Sequence, residues 1–339
     1  MTVTLGATTP PALRRHGRGD AARPVLRGPA TPLTPVSPPR VRRSAAPACA
    51  WCAGDRGPSG TEQVEFGWYS AVLSRVLETV DPRVAAAHGV PDATAEQLRW
   101  AATCRGTGDR PVLDLVARAV AQAPGGDGLG LVDVGAGTGG PSAYLATRTG
   151  LPVLAVEPSR QSLATARRLF GDVEGVRVVE GDAAALPAPD GSAAAVTMLG
   201  LLSLLPDASP ALREARRVAA PGAVLALTDY TAPSHGARRA ADLPEGTRPD
   251  VTGELLTALD AAGWDVEHVV DGALLPDRVW LGCRDVVDAA IARHVALTPH
   301  GLDNACPAAH EAEMAARAQF SGAIEAGTVR RLTVVARAR

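Results

Sequence analysis

The chain contains no lysine. All 34 of its basic residues are arginine, and alongside 35 Gly and 28 Pro in an alanine-rich chain this reads as the coding bias of a GC-rich genome. The arginine count is therefore poor evidence for nucleic-acid binding. Residues 1–60 carry nine Arg against Asp20 and Asp55, a charge of +7, which leaves −9 on the rest of a chain whose net charge is −2. An acidic body argues against a phosphate-binding face. Long apolar runs are also lacking. The longest, Ala193 to Leu205, is short of the roughly 20 residues a membrane helix needs, so no membrane partner is expected. Cysteine is sparse: Cys49, Cys52, Cys104, Cys283 and Cys306 are odd in number and scattered, which excludes a disulfide framework and fits a reducing cytoplasm. Cys49 and Cys52 form a lone C-x-x-C, half of what a structural zinc site takes, so no metal is assigned there. His294, His300 and His310 match no metal-ligand spacing either.

Aromatic residues make up only 3% of the chain. Phe66, Trp68 and Tyr69 nevertheless fall together in a helical stretch over residues 61–80, with Val72, Leu73, Val76 and Leu77 as its apolar face. They read either as a hydrophobic anchor or as a lid that brings Tyr69 to a bound ligand. Thr94-Ala-Glu-Gln97 is a capping box for a helix over 95–104. Pro111 opens a third helix, to about Ala123. Residues 61–124 thus form a small helical cap. Residues 1–60, rich in Pro and Arg with no apolar periodicity, cannot bury enough surface to order themselves and are expected to be disordered. Arg14-Arg15 is followed by no apolar run, so it is not read as an export signal.

From residue 129 onward, short apolar strands alternate with helices. Strands are expected over 129–134, 152–157, 176–180, 193–199, 223–229 and 264–270, with a last one near 329–336. Pro221-Gly222 reads as a turn before the fifth. Helices are expected over 141–149, 158–170, 210–219 and 253–262, and in an insert near 271–327 over 284–295 and 308–326. Near-continuous apolar strands alternating with helices indicate an α/β doubly wound, mostly parallel sheet, whose ligands bind beyond the carboxyl ends of the strands.

Three of those strand ends carry glycine or acid. The first runs into Asp133-Val-Gly135-Ala-Gly137-Thr-Gly139-Gly140, a glycine loop before a helix. Glycine lets backbone approach a ligand closely, and a helix N-terminus points N–H groups at it. Gly135, Gly137 and Gly140 also satisfy the dinucleotide fingerprint G-x-G-x-x-G. Asp133 weighs against that reading, because a buried carboxylate repels pyrophosphate and attracts an ammonium group. S-adenosylmethionine has an ammonium, an adenosine and no phosphate. Glu157 ends the second strand, where an acid can accept from both ribose hydroxyls. Gly181-Asp182-Ala183 ends the third, where Asp182 can accept from the adenine amine.

With these motifs the chain resembles the class I S-adenosylmethionine-dependent methyltransferases of small-molecule type, over about residues 110–339. The resemblance implies a seven-stranded sheet whose last strand is antiparallel and inserted beside the sixth. It implies S-adenosyl-L-methionine as methyl donor, held by Tyr69, Asp133, Gly135, Gly137, Gly139, Glu157, Pro158, Asp182, Ala183 and Leu199. It implies a small-molecule acceptor, such as an amino acid or a natural product. The acceptor is expected in a pocket built by residues 230–250 and the insert. Many small-molecule members place a histidine just after strand four, where this chain has Leu202-Ser203-Leu204, a departure that favours an amine, thiol or activated carbon acceptor over His-assisted O-methylation. Asp229, Tyr230 and His235 remain as base or acceptor-orienting candidates. A DNA amino-methyltransferase would carry Asn/Asp-Pro-Pro-aromatic after strand four; Leu199-Gly-Leu-Leu-Ser203 stands there instead. An NAD-dependent oxidoreductase, supported by the glycine spacing and Glu157, and a cofactor-binding scaffold without catalysis are the alternatives. The oligomeric state is not legible in the sequence.

Overall fold

The computed structural model describes residues 63–105, 110–124, 130–272 and 277–339, with backbone only for 63–66. The Pro/Arg-rich segment 1–60, with Cys49 and Cys52, lies outside them, as does the side chain of Phe66. All described residues belong to one compact unit.

Four helices come first: α1 (Gln63–Val76), α2 (Pro82–Ala87), α3 (Ala95–Thr103) and α4 (Arg110–Val120). The alternation follows with β1 (Gly130–Val134), α5 (Gly140–Thr149), β2 (Val153–Glu157), α6 (Arg160–Phe170), β3 (Val176–Glu180) and β4 (Ala193–Leu199). A 3-10 turn at Leu202–Leu204 leads to α7 (Ser209–Val218), β5 (Ala219–Thr231), α8 (His235–Ala240), α9 (Thr252–Ala261) and β6 (Trp264–Asp271). The insert holds α10 (Arg278–Leu297) and α11 (Pro307–Glu325) and returns into β7 (Arg330–Ala338).

The seven strands form one sheet in the order β3-β2-β1-β4-β5-β7-β6. The first five are parallel, and β7 runs antiparallel between β5 and β6. The order turns outward in both directions from β1 and β4, and an open α/β sheet opens its ligand crevice where its strand order diverges. β4 is buried along its whole length, as a central strand covered on both faces must be.

Several boundaries differ from the sequence pattern for identifiable reasons. β5 begins at Ala219 and absorbs the expected Pro221-Gly222 turn as an irregularity: its pairing with β4 jumps from Ala219 to Val224. Pro221 has no N–H for the ladder, so the strand bulges there without ending. α2 and α8 are too short to show a periodic pattern. Each is set by a cap: Asp81 accepts from the N–H groups of Arg83 and Val84, and Ser234 from that of Ala237. α10 starts six residues earlier than its apolar pattern because Asp277 caps it through the Trp280 N–H.

The cap and the insert are packed together on one face of the sheet. Trp68, 1% exposed, donates its indole N–H to the Asn304 carbonyl at 2.9 Å and meets the His310 ring edge-on. Trp100, Tyr144 and Trp280 form a chain of edge-to-face contacts from α3 through α5 to α10. The opposite face is covered by α7 and α9, pinned by Trp264, whose indole donates to the Leu212 carbonyl.

The end of α3 rests on the start of α5. A Cβ placed on Gly140 would lie 2.2 Å from Thr103 Oγ1 and 2.9 Å from the Thr103 carbonyl carbon. Gly140→Ala must therefore push the cap off the glycine loop. We expect a loss of about 1–3 kcal/mol in stability, read as a lower urea midpoint with an unchanged m-value; an unaltered midpoint would show that this packing carries no weight.

Candidate active site

The glycine loop is held by backbone. The N–H groups of Gly135 and Ala136 both donate to the Val156 carbonyl, at 2.9 and 3.0 Å, and Gly139 closes the turn onto Ala136. Gly135, Gly137 and Gly139 all have positive φ, between 55° and 82°. Those are conformations that side-chain-bearing residues rarely adopt, so the loop could not be written with other residues. A Cβ on Gly135 would meet Leu201 at 3.0 Å, which ties the loop to the segment after β4. Open space faces Gly137.

Glu157 stands at the end of β2 facing that space. One carboxylate oxygen accepts from the Gly137 N–H and the other from the Ser159 N–H, both at 2.9 Å. A carboxylate offers about four acceptor positions. Two are spent on backbone, and two remain for a vicinal diol. Burial and the neighbouring Asp133 charge raise the Glu157 pKa against those two backbone bonds.

Asp133 lies beneath the loop, 1% exposed. Its oxygens accept from Thr197 Oγ1 on β4 at 2.7 Å and from Ser142 Oγ on α5 at 2.6 Å. The parallel register sets Asp133 level with Thr197. Neither hydroxyl has a signal in the sequence, because that register is a tertiary fact. The carboxylate is thus turned into the protein, and whatever it offers a bound ammonium acts through space. Burial pushes its pKa up to about 6, against the two hydroxyl bonds.

The other residues expected around the cofactor are dispersed. Asp182 is exposed and accepts from the Ala184 N–H, Pro158 is exposed, Ala183 is half-buried and Leu199 is buried in the core. Tyr69 sits in a packing position: its hydroxyl donates to the Ala102 carbonyl at 3.0 Å, and the Arg105 and Arg317 guanidiniums lie over its ring. Burial raises its pKa to about 12. In this conformation it is an anchor between α1, α3 and the insert. Thr103, next to Ala102, accepts from Thr138 of the glycine loop, so the N-terminus of α5 expected to face a ligand is covered by the cap.

Asp229, Tyr230 and His235 do not converge. Asp229 accepts from the N–H groups of Leu202, Ser203 and Tyr230, which makes it the clamp of the turn after β4. Tyr230 accepts from Arg331 and packs against Phe320. His235 is exposed at the start of α8, beside Arg238 and Glu254. Among the described residues no group of three or more His, Cys, Asp or Glu is placed to hold a metal ion, and no helix is long and apolar enough to cross a membrane.

The glycine loop, Glu157 with two acceptor positions left, and the buried Asp133 lie together at the divergence of an open parallel sheet. Residues 132–227 match the family model of a methyltransferase domain. The chain is 36% identical over 102 residues to a methyltransferase, GfsG, of Streptomyces halstedii, covering 29% of this chain and 37% of that protein. It is 37% identical over 103 residues to the 27-O-demethylrifamycin SV methyltransferase of Amycolatopsis mediterranei, covering 30% and 38%. It spans less than two fifths of the length of either. Among solved structures, the 4+2 cyclase SpnF superposes with a TM-score of 0.52 at 25% identity, over 67% of this chain and 80% of that one. Residues 132–227 are thus similar to a methyltransferase domain, and the fold around them is shared with SpnF.

The raised Asp133 pKa has a stability consequence with a definite sign. Its carboxyl is easier to ionise unfolded, near 3.8, than folded, near 6. Its contribution is full below pH 4 and is lost as pH rises through 6, a cost of about 3 kcal/mol at pH 7. Asp133→Asn keeps a polar, neutral group there. The variant should be more stable than wild type at pH 7 and equal to it at pH 4, by urea melts; parallel pH profiles would refute this.

Proposed function

We propose that the protein transfers the methyl group of S-adenosyl-L-methionine to a small-molecule acceptor, in the cytoplasm. The observation that carries this reading is Glu157, with two acceptor positions left for a ribose beside the open face of Gly137. Gly135, Gly137 and Gly139 would let the cofactor lie against backbone, and Asp133 would favour its ammonium through space. Asp182 would meet the adenine amine by rotating away from the Ala184 N–H. A dinucleotide fits less well. Its pyrophosphate needs the N–H groups at the helix start, and that is where Thr103 sits, above a buried carboxylate.

The bound cofactor supplies an activated methyl on a sulfonium, which leaves in an in-line displacement. The protein's part is to hold donor and acceptor in line and to exclude water. The cap and insert, joined through Trp68 and the Tyr69 cluster, are suited to the second task. One relative is named for methylation of a demethylrifamycin and others for methylation of demethylmenaquinone. A tailoring step on a natural product is the acceptor class we favour. Cys104, Cys283 and Cys306 are buried thiols outside any disulfide, which suits a reducing compartment.

Calorimetry of the full chain tests the donor assignment. S-adenosylmethionine and S-adenosylhomocysteine should bind with micromolar Kd and NAD should not. Glu157→Ala should weaken both by at least tenfold, since removing a partner from two ribose hydroxyls is worth more than about 1.4 kcal/mol. NAD binding would restore the dehydrogenase reading. S-adenosylhomocysteine binding with no methyl transfer across a broad acceptor panel would favour a scaffold. Asp133→Asn should weaken S-adenosylhomocysteine about tenfold while sparing 5′-methylthioadenosine, which lacks the ammonium; equal loss for both would assign Asp133 a purely structural role.

A further inference from the structure

The turn after β4 and the segment after β5 enclose a half-open cleft of about 380 Å³ at the carboxyl end of the sheet, within the size range of small-molecule sites. Backbone contacts fix its floor. The Arg248 N–H donates to the Ser203 carbonyl at 2.6 Å, and the Ala232 N–H at the end of β5 donates to the Asp250 carbonyl at 2.9 Å. The floor therefore sits on the turn that Asp229 clamps, and Leu201, opening that turn, touches the glycine loop at Gly135. Leu205, Pro206 and Leu243 give the cleft apolar walls.

Two side chains in it stand out. The Asp250 carboxylate is half-buried and has no hydrogen-bond or ion-pair partner among the described residues. The Arg248 guanidinium, on the same rim, has none among them either. Arg238, the third charged group, is already paired with Glu254 at 2.8 Å. A partly desolvated carboxylate with no protein donor keeps its acceptor positions for a ligand. Desolvation and the nearby Glu254, Asp229 and Asp207 charges raise the Asp250 pKa, opposed by Arg238. In the sequence Asp250 only marks the end of the expected acceptor loop, since nothing in Arg-Pro-Asp-Val sets it apart.

We propose that this cleft takes the methyl acceptor, that Asp250 receives the proton of its O–H nucleophile, and that Arg248 holds an acidic or carbonyl oxygen of the same molecule. The acceptor class is thus a hydroxylated compound with an anionic or carbonyl group. The inference rests on the methyltransferase reading. Asp250 takes the hydroxyl proton as the acceptor oxygen bonds to the methyl carbon. The carbon–sulfur bond breaks with its electron pair going to sulfur, the donor leaves as the neutral thioether, and Asp250 returns its proton to solvent.

The test uses 4-hydroxybenzoate, a rigid probe with one hydroxyl and one carboxylate, binding to the full chain saturated with S-adenosylhomocysteine and followed by ligand-observed NMR. Wild type should bind it. Asp250→Asn and Arg248→Gln should each weaken it at least fivefold, with the Kd for S-adenosylhomocysteine unchanged within twofold, which also shows that both variants are folded. Wild-type affinity should climb as pH rises through the Asp250 titration, and Asp250→Asn should lose that climb. Failure of wild type to bind S-adenosylhomocysteine sinks the methyltransferase reading itself. Tight S-adenosylhomocysteine binding without probe binding, or equal probe binding by all three proteins, overturns the cleft assignment and leaves that reading standing.

Discussion

One buried carboxylate joins the three elements on which the site depends. Asp133 leaves β1, takes a hydroxyl from Thr197 on β4 and another from Ser142 on α5. The strand, its neighbour across the sheet's divergence and the helix after the glycine loop are thereby locked at one point. The loop between them needs that lock. It is rich in glycines in positive-φ conformations, the residues that lose most entropy on ordering, and its other ties run to the Val156 carbonyl, the Glu157 carboxylate and the Thr103 carbonyl. A charge in such a place is unfavourable at neutral pH. Such perturbed carboxyl groups cluster at functional sites.

A second clamp of the same kind works beyond it. Asp229 at the end of β5 gathers three backbone N–H groups and so shapes the turn after β4. That turn touches the glycine loop through Leu201 and supports the cleft floor through Ser203. The two aspartates hold the two sides of the crevice, and neither presents a free oxygen to it. Glu157, Asp182 and Asp250 keep acceptor capacity, so the acids that hold the framework are separate from those with oxygens to spare.

The cap and insert complete this arrangement from above. Tyr69 lies between Arg105 and Arg317, which share Asp288 as partner. Such a cluster orders three helices and the chain end that covers the glycine loop. Arg317 also pairs with Glu313, so the charges balance within the cluster, which is better suited to closing a site than to binding an anion.

Much of this was legible in the residues themselves. Apolar runs bounded by glycine and proline marked the strands. The D-V-G-A-G-T-G loop, Glu157 and Asp182 could be placed at the carboxyl ends of the first three strands, because glycine and acid at strand ends recur there one βα unit apart. Side-chain direction was not legible. Asp133 reads equally as facing a ligand or facing Thr197 until the β1–β4 register is known, and Asp229 reads as a base until the turn after β4 folds onto it. Tyr69 could be lid or anchor until α3 supplied the Ala102 carbonyl. Asp250 carried no local signal, since its lack of a partner is a property of every element around it. Local pattern determines which segments become strands, helices and tight loops, because those depend on neighbours a few residues away. Which polar groups end up satisfied, and which remain free to act, is set only when segments distant in sequence come within hydrogen-bonding distance.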